Sequence, residues 1–450
     1  MQLKTFKQFI LSLFAFFTVF SINVLKVKAA IITPSIKAKG AIVIDEKTGQ
    51  ILASKNADKR YPIASISKLL IAYLVEKRIK ENKISLNTKV KIPSGIVAIS
   101  QETTITNVPL SATRSYTIKE LLEDALLPSG NGAAIALGAA ITGSVSKTET
   151  AMEKLLSSWN IKGVKIYSPA GLTNGEMGAY KDKSASDDAE NKLSAKELAE
   201  VSRHLMLDFP SIRKITDKSS AVVSSTSGSS YTIENTNQLL KNIKSPYKFT
   251  GIKTGSAESI GGNFIGETRI KGQKVITVVL GSGSMTDEST RFVQTVSMLS
   301  QLNKASSIKK IAKSEGSAKL IAATGKNGKV KTINSYRYSL FVPKKKTSLV
   351  YSSIKVKKNI SYPLSKGKMI GYDEVKTSSN LANDFLYGKY LSVKVDSNER
   401  VKETNFIVRA WRQLFFQQKF SNKLKFDKFF HSSKLLNYSL SIFIKYFNFY

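Results

Sequence analysis

The order of periodic segments in this chain predicts an α+β domain, then a small all-β domain and a terminal amphipathic helix. Three observations carry that reading. Two short apolar runs, Ala41–Ile44 and Ile51–Ser54, flank the turn sequence DEKTGQ and read as a hairpin. Segments with apolar residues at helical spacing follow. Three strand-like runs, KFTGIKTG, NFIGETRI and KVITVVLGS, then close the domain. Helices placed between a first hairpin and a final set of linked strands favour an antiparallel sheet. Its N-terminal and C-terminal strands would lie side by side.

Each helix has its own signal. Ser65–Lys80 carries Ile66, Leu69, Leu70, Tyr73 and Leu74 on one face. Thr117 and Glu120 form a capping-box pattern ahead of LLEDALL. PSGNG at 128–132 breaks that helix, and an alanine-rich helix follows. KLSAKELAEVSRHLM is amphipathic, a turn at Lys271–Gln273 joins the last two strands, and STRFVQTVSMLSQL ends the domain near residue 303. Residues 301–350 then hold 12 Lys and Arg against one acidic residue, a net of +11. Short strand-like pieces separated by Gly, Pro, Asn and Lys place a small β domain over 304–400. In FIVRAWRQLFFQQKF, within 404–420, Ile407, Val408, Trp411, Leu414 and Phe415 share one arc, with Arg409, Arg412 and Lys419 opposite. Such a helix suits a membrane interface, or else docks on the protein's own surface. Neither it nor the basic, aromatic tail 421–450 offers the roughly 20 apolar residues that span a bilayer.

Composition narrows the chemistry. The chain has 450 residues and no cysteine, which excludes disulfides, thiolate metal sites and a cysteine nucleophile. With only two histidines, His204 and His431, a multi-histidine metal site is nearly excluded, and hydrolytic chemistry is expected to run without imidazole, metal or cofactor. Residues 1–29 have Lys4 and Lys7, an uncharged run from Phe9 to Leu25, and small residues Val27 and Ala29. They read as a secretory signal peptide, with an uncleaved anchor as the other reading. Either exports the remainder, so the net charge of +36 is expected to meet an anionic membrane surface or wall polymer rather than nucleic acid.

Three short motifs carry the chemistry. Ser65-x-x-Lys68 recurs as a pattern elsewhere, but here it opens a long apolar helix. Residues three apart share a helix face, so the Lys68 amine reaches the Ser65 hydroxyl, and apolar surroundings would lower the Lys68 pKa and make it a base. Ser129–Gly130–Asn131 sits in a Pro- and Gly-bounded loop. Lys253–Thr254–Gly255 ends a strand; an edge strand with Lys and Thr pointing outward can hold a carboxylate. Gly255 would let a ligand approach the backbone closely.

The order SxxK, SxN, KTG is more specific than any one motif. With IVIDEKTGQILASKNADKRYPIASISKLL, ENTNQLL and TGIKTG, it resembles the low-molecular-mass penicillin-binding proteins, the serine-type D-alanyl-D-alanine carboxypeptidases. The resemblance covers about residues 38–300. It implies a penicillin-binding/β-lactamase-like domain, an antiparallel sheet with helices on both sides. It implies removal of the terminal D-Ala from peptidoglycan stem pentapeptides, with β-lactams as covalent inhibitors. By the resemblance, Ser65 is acylated, Lys68 takes its proton and Ser129 relays a proton to the leaving amine. Asn131 holds the peptide, and Lys253 and Thr254 bind its terminal carboxylate. The backbone N–H groups of Ser65 and Ser256 form the oxyanion hole. SPAGL at 168–172 and SAESIGGNF after the KTG depart from the family's usual loops, the second lacking a nearby basic residue. A D,D-transpeptidase, a β-lactamase or a non-catalytic wall-binding or penicillin-sensing protein are the rival readings. ENKLS at 190–194 lacks the asparagine a class A β-lactamase would need.

Overall fold

The computed structural model describes residues 31–412 apart from 225–229, 285–286, 288, 312–313, 321–322, 324–328, 335–336, 345–349, 358–359, 378–384, 389 and 411. The expected signal peptide, tail 421–450 and most of the helix at 404–420 lie outside the described residues. The chain forms two compact units. The first holds residues up to 311 together with 338–351 and 375–391; the second holds 312–337, 352–374 and the chain from 392 onward.

The first unit is built on a five-stranded antiparallel sheet. Its strands are β1 (Gly40–Asp45), β2 (Ile51–Lys55), β3 (Ile252–Ala257), β4 (Gly261–Ile270) and β5 (Gln273–Ser282). Their spatial order is β2-β1-β5-β4-β3. β1 pairs with β5 from Gly40 opposite Leu280 to Asp45 opposite Val275, so the first and last strands lie side by side as expected. β4 and β5 are joined by Lys271 and Gly272, both at positive φ (49° and 80°), the two-residue turn whose twist matches the strands.

Alternation along the central strands explains the layers. Ile42, Ile44, Ile276, Val278 and Leu280 join one buried cluster with the helices on one side. Ala41, Val43, Val275 and Val279 join another with Phe292, Met298, Leu299 and Leu302 on the opposite side. Burying each such aliphatic side chain stabilises by about 1.5–3 kcal/mol relative to leaving it exposed, so the sheet is a rigid platform.

The helices are α1 (Lys68–Lys80), α2 (Ser94–Gln101), α3 (Ile118–Leu126), α4 (Asn131–Thr142), α5 (Val145–Ser158), α6 (Ala195–Asp208) and α7 (Thr290–Ala305). α1 packs on α4 and α6, α6 covers β1 and β5, and α7 lies against β4 and β5. The Thr117–Glu120 capping box forms at the start of α3, and a second one, Ser194–Glu197, starts α6.

The expected boundary near residue 303 is not one clean cut. Ser306–Ile311 pairs with Tyr338–Pro343, and both strands belong to the first unit. The cause is Gln50, fully buried at the end of the first hairpin turn. Its side-chain amide donates to the Phe341 carbonyl at 2.8 Å and accepts from the Phe341 N–H at 2.9 Å. The second unit carries a five-stranded sheet in the order Ser314–Lys319, Lys329–Asn334, Leu391–Ser397, Met369–Thr377, Val350–Val356. Leu320, Val330, Leu364, Ile370 and Val395 fill its core.

Candidate active site

Ser65 is the second residue of a four-residue 3-10 turn, Ala64–Ser67, that runs directly into α1. The expected single helix over 65–80 is therefore two pieces, and the Ser-x-x-Lys motif straddles their junction. Ala64 enters the turn at φ 48°, a left-handed conformation that L-residues rarely adopt. The turn buries Ala64, Ile66 and Ser67 and leaves Ser65 partly exposed.

Lys68 is 1% exposed, and three oxygens surround its Nζ closely: Ser65 Oγ at 2.6 Å, Asn131 Oδ1 at 2.7 Å and the Ala170 carbonyl at 2.9 Å. Ser129 Oγ stands further off at 3.4 Å. Burial pushes the amine well below the ordinary lysine range, and the nearby charge of Lys253 pushes it the same way.

The Ser129–Asn131 loop is held from behind. Ser129 takes φ 73°, the Gly130 N–H donates to the Asp124 carbonyl at 2.7 Å, and the Asn131 N–H donates to the Thr106 carbonyl at 3.0 Å. Asn131 is the first residue of α4, so its side chain is fixed by a helix rather than a loop.

The SPAGL segment, set apart in the sequence as a departure, lies against the turn that carries Ser65. Ser168 Oγ accepts from the N–H groups of Ala170, Gly171 and Leu172 at 3.1–3.2 Å, folding the segment tightly. Asn191 locks it in place: its Nδ2 donates to Ser67 Oγ at 2.9 Å and to the Ser168 carbonyl at 2.7 Å. Gly171 has φ 84°, and a Cβ there would meet the Ala64 carbonyl at 1.9 Å. No other residue fits between the segment and the nucleophile turn.

Lys253–Thr254–Gly255 lies on the edge strand β3, but near its start rather than its end. Lys253 and Thr254 are 1% and 4% exposed, not outward-facing as expected. Lys253 Nζ has no hydrogen-bond partner among the described residues. Burial, with the Arg291 charge adding to it, pushes its pKa down to about 7. Thr254 shares a 2.6 Å hydrogen bond with Thr236, whose hydroxyl also donates to the Leu127 carbonyl at 3.3 Å. That pair ties the KTG strand to the segment before Ser129. Gly255 has a packing reason as well: a Cβ would meet the Ile63 carbonyl at 2.8 Å and Ile66 at 3.2 Å. β3 can therefore press directly on the nucleophile turn.

The three motifs share one site. Ser65, Asn131 and Ser256 line a cavity of about 430 Å³, Ser129 approaches Lys68, and the Lys253 charge acts on Lys68. The two residues expected to form an oxyanion hole, Ser65 and Ser256, both face that cavity. Four contributors escaped the sequence reading. The Ala170 carbonyl is a backbone atom and Asn191 acts through a folded loop, so neither had a motif. Thr236 lies in ENTNQLL, whose resemblance was visible but whose role was not. Arg291 donates to the Gly255 carbonyl at 3.0 Å and to Ser256 Oγ at 2.7 Å. Among the described residues, no group of three or more His, Cys, Asp or Glu side chains could hold a metal.

The close contact at Gly255 is testable. Gly255→Ala forces backbone apart at the nucleophile turn and should destabilise the protein by about 1–3 kcal/mol, as overpacking does. A denaturant midpoint unchanged from that of the parent protein would refute the contact.

Comparison with known proteins agrees with this geometry. A family model described as D-alanyl-D-alanine carboxypeptidase matches residues 27–284. The D-alanyl-D-alanine carboxypeptidase DacF of Bacillus subtilis is 26% identical over 336 residues, covering 74% of this chain and 80% of that protein. DacA of Haemophilus influenzae is 25% identical over 379 residues, covering 82% and 88%. Among solved structures, the peptidoglycan synthesis regulatory factor PBP3 of Streptococcus pneumoniae superposes with a TM-score of 0.68 at 29% identity, covering 81% of this chain and 99% of that one. Penicillin-binding protein 5 of Haemophilus influenzae, at TM-score 0.63 and 23% identity over 83% and 99% of the two chains, shares the fold. The family match spans more than half of the sequence and contains every residue that meets around Lys68, and the chain belongs to the D-alanyl-D-alanine carboxypeptidase family.

Proposed function

We propose that Ser65, with Lys68 as its base, cleaves the bond between the two terminal D-Ala residues of a peptidoglycan stem peptide through an acyl-enzyme. The observation that carries these roles is the environment of Lys68 Nζ. Of its three close oxygens, Asn131 Oδ1 and the Ala170 carbonyl can only accept. They take the two N–H bonds of a neutral amine. The Ser65 hydroxyl, 2.6 Å away, is the one close neighbour able to meet the lone pair. Burial supplies the neutral form by pushing the amine pKa down.

The steps follow. Lys68 takes the Ser65 proton as Oγ attacks the carbonyl carbon, and the carbonyl oxygen becomes an oxyanion facing the N–H groups of Ser65 and Ser256. The oxyanion collapses, the C–N bond breaks, and the proton passes from Lys68 by way of Ser129 to the leaving amine. D-Ala departs, and Ser65 holds the shortened peptide as an ester. Water, deprotonated by the same amine, attacks the ester and restores Ser65. Lys253 and Thr254 hold the substrate carboxylate; the unpartnered ammonium of Lys253 supports that role. A β-lactam presents the same carbonyl and carboxylate, so it acylates Ser65 in place of the peptide.

The same proposal places the protein on the outer face of the cytoplasmic membrane. The reading of residues 1–29 as an export signal and the basic, aromatic character of 404–420 support it. At the described start of that helix, Ile407 of the apolar arc is 64% exposed, as a membrane-facing side would be. Arg412 departs from the expected polar face: it is buried and donates to the Ala323 carbonyl at 2.6 Å. Its net charge of +36 suits an anionic lipid or wall surface.

Three outcomes are expected. Labelled penicillin should form a covalent adduct with the purified protein and none with Ser65→Ala, and the same variant should release no D-Ala from a pentapeptide. An adduct on Ser65→Ala would end the assignment of the nucleophile. The pH profile of kcat/KM should rise as Lys68 loses its proton and fall near the Lys253 value of about 7, because above it the free enzyme lacks the cation that holds the carboxylate. Lys253→Arg keeps its charge and should move the fall upward; a fall unmoved in that variant would assign it to another group. Removing residues 404–450 should shift the protein from membrane to soluble fractions; retention on the membrane would place the anchor elsewhere.

A further inference from the structure

Thr236, outside the three motifs, shares a short hydrogen bond with a hydroxyl inside one of them. Its Oγ1 stands 2.6 Å from Thr254 Oγ1, and either hydroxyl can be the donor. The other contact of the Thr236 hydroxyl is the Leu127 carbonyl at 3.3 Å, which also accepts from the Thr236 N–H at 3.1 Å.

The residues on both sides of Thr236 hold it in place. Asn235 and Asn237 are buried. Asn235 Nδ2 donates to the Lys218 carbonyl at 2.8 Å, and Asn235 Oδ1 accepts from the Asn237 N–H at 2.9 Å. Asn237 Nδ2 donates to the Gly251 carbonyl at 3.1 Å, two residues before Lys253. The segment is thereby tied to the chain entering β3, and the Thr236 hydroxyl is set opposite Thr254.

Counting protons gives the short bond a direction. A threonine hydroxyl has one proton and two lone pairs, whereas a carboxylate only accepts. Once Thr254 donates to the substrate carboxylate, its contact with Thr236 persists as a hydrogen bond only with Thr236 as donor. The reverse direction turns an oxygen lone pair of Thr254 toward the anion. Swinging the Thr236 proton to Thr254 gives up the longer of that hydroxyl's two contacts, and the Leu127 carbonyl keeps the Thr236 N–H. A hydroxyl that accepts a hydrogen bond also donates a stronger one.

We infer that Thr236 is a positioning residue for substrate binding: its hydroxyl donates to Thr254 Oγ1 and so aims the single Thr254 proton at the substrate carboxylate. This rests on the carboxypeptidase reading, in which Lys253 and Thr254 hold that carboxylate. Lys253 supplies charge, which has no direction, and the threonine pair supplies the direction.

The test is D-Ala release from a pentapeptide ending in D-Ala-D-Ala, by the full chain and its variants. Thr236→Val keeps the shape and removes the hydroxyl. It should lower kcat/KM about threefold to tenfold. The loss should fall on KM, with kcat within about twofold of the parent, because the contact already exists in the bound substrate. Thr236→Ser keeps the hydroxyl and should stay within about twofold of the parent. In a Thr254→Val background, adding Thr236→Val should change kcat/KM by less than about twofold. An unchanged kcat/KM in Thr236→Val, an equal loss in Thr236→Ser, or the same factor lost in both backgrounds overturns the inference and leaves the carboxypeptidase in place. A fall in kcat at constant KM overturns it too, and assigns Thr236 to the Ser129 loop through Leu127. No D-Ala from the parent protein overturns both readings.

Discussion

Everything at this site depends on burying one amine. An ammonium taken out of water loses its hydration, so a buried lysine either finds oxygen acceptors or gives up its proton. Lys68 does both. Its neighbours are dipoles rather than carboxylates, which fix the position of Nζ without restoring its charge. A single carboxylate in place of Asn131 would favour the charged amine instead. The chemistry follows from the absence of a counter-charge as much as from the presence of the amine.

That burial needs three chain segments to close on one turn, and glycine allows it twice. Gly171 brings the 168–172 segment against the Ala64 carbonyl, and Gly255 brings β3 against Ile63 and Ile66. A side chain at either position would open the wall of the amine's pocket and readmit water. Ala64 at positive φ is the corresponding distortion on the other partner. Backbone strain of this kind costs on the order of 1–3 kcal/mol and persists where surrounding packing dictates it. Here the sheet core on one side and α1, α4 and α6 on the other do so.

Much of this was legible in the sequence, for identifiable reasons. Strand alternation and capping boxes are local signals, so β1, β2, β5 and the start of α3 were read nearly to the residue. The Ser65, Ser129 and Lys253 motifs could be read because their order is specific even though each triplet is common. What escaped was non-local or carried by the backbone. Asn191 and Arg291 act across 23 to 124 residues of chain, and Ala170 contributes a carbonyl that any residue could supply. The inward direction of Lys253 was missed because an edge strand was taken to face solvent, whereas the nucleophile turn covers it. The pairing of Ser306–Ile311 with Tyr338–Pro343 had no local signal, and Gln50 reaches Phe341 across 291 residues of chain.

Charge in this protein works on two length scales. The excess of 36 positive charges is spread over the whole chain and acts at long range on any extended anionic surface. Within the cleft the field is set by what lies closer than the screening length, about 8 Å at physiological salt. There Lys68, its pKa lowered by burial, stands near the buried Lys253, and the carboxylates Glu176, Asp188, Glu190 and Glu258 line the cavity that holds Ser65. The long-range excess and the charge of the cleft are therefore independent: the sign of the one does not set the sign of the other.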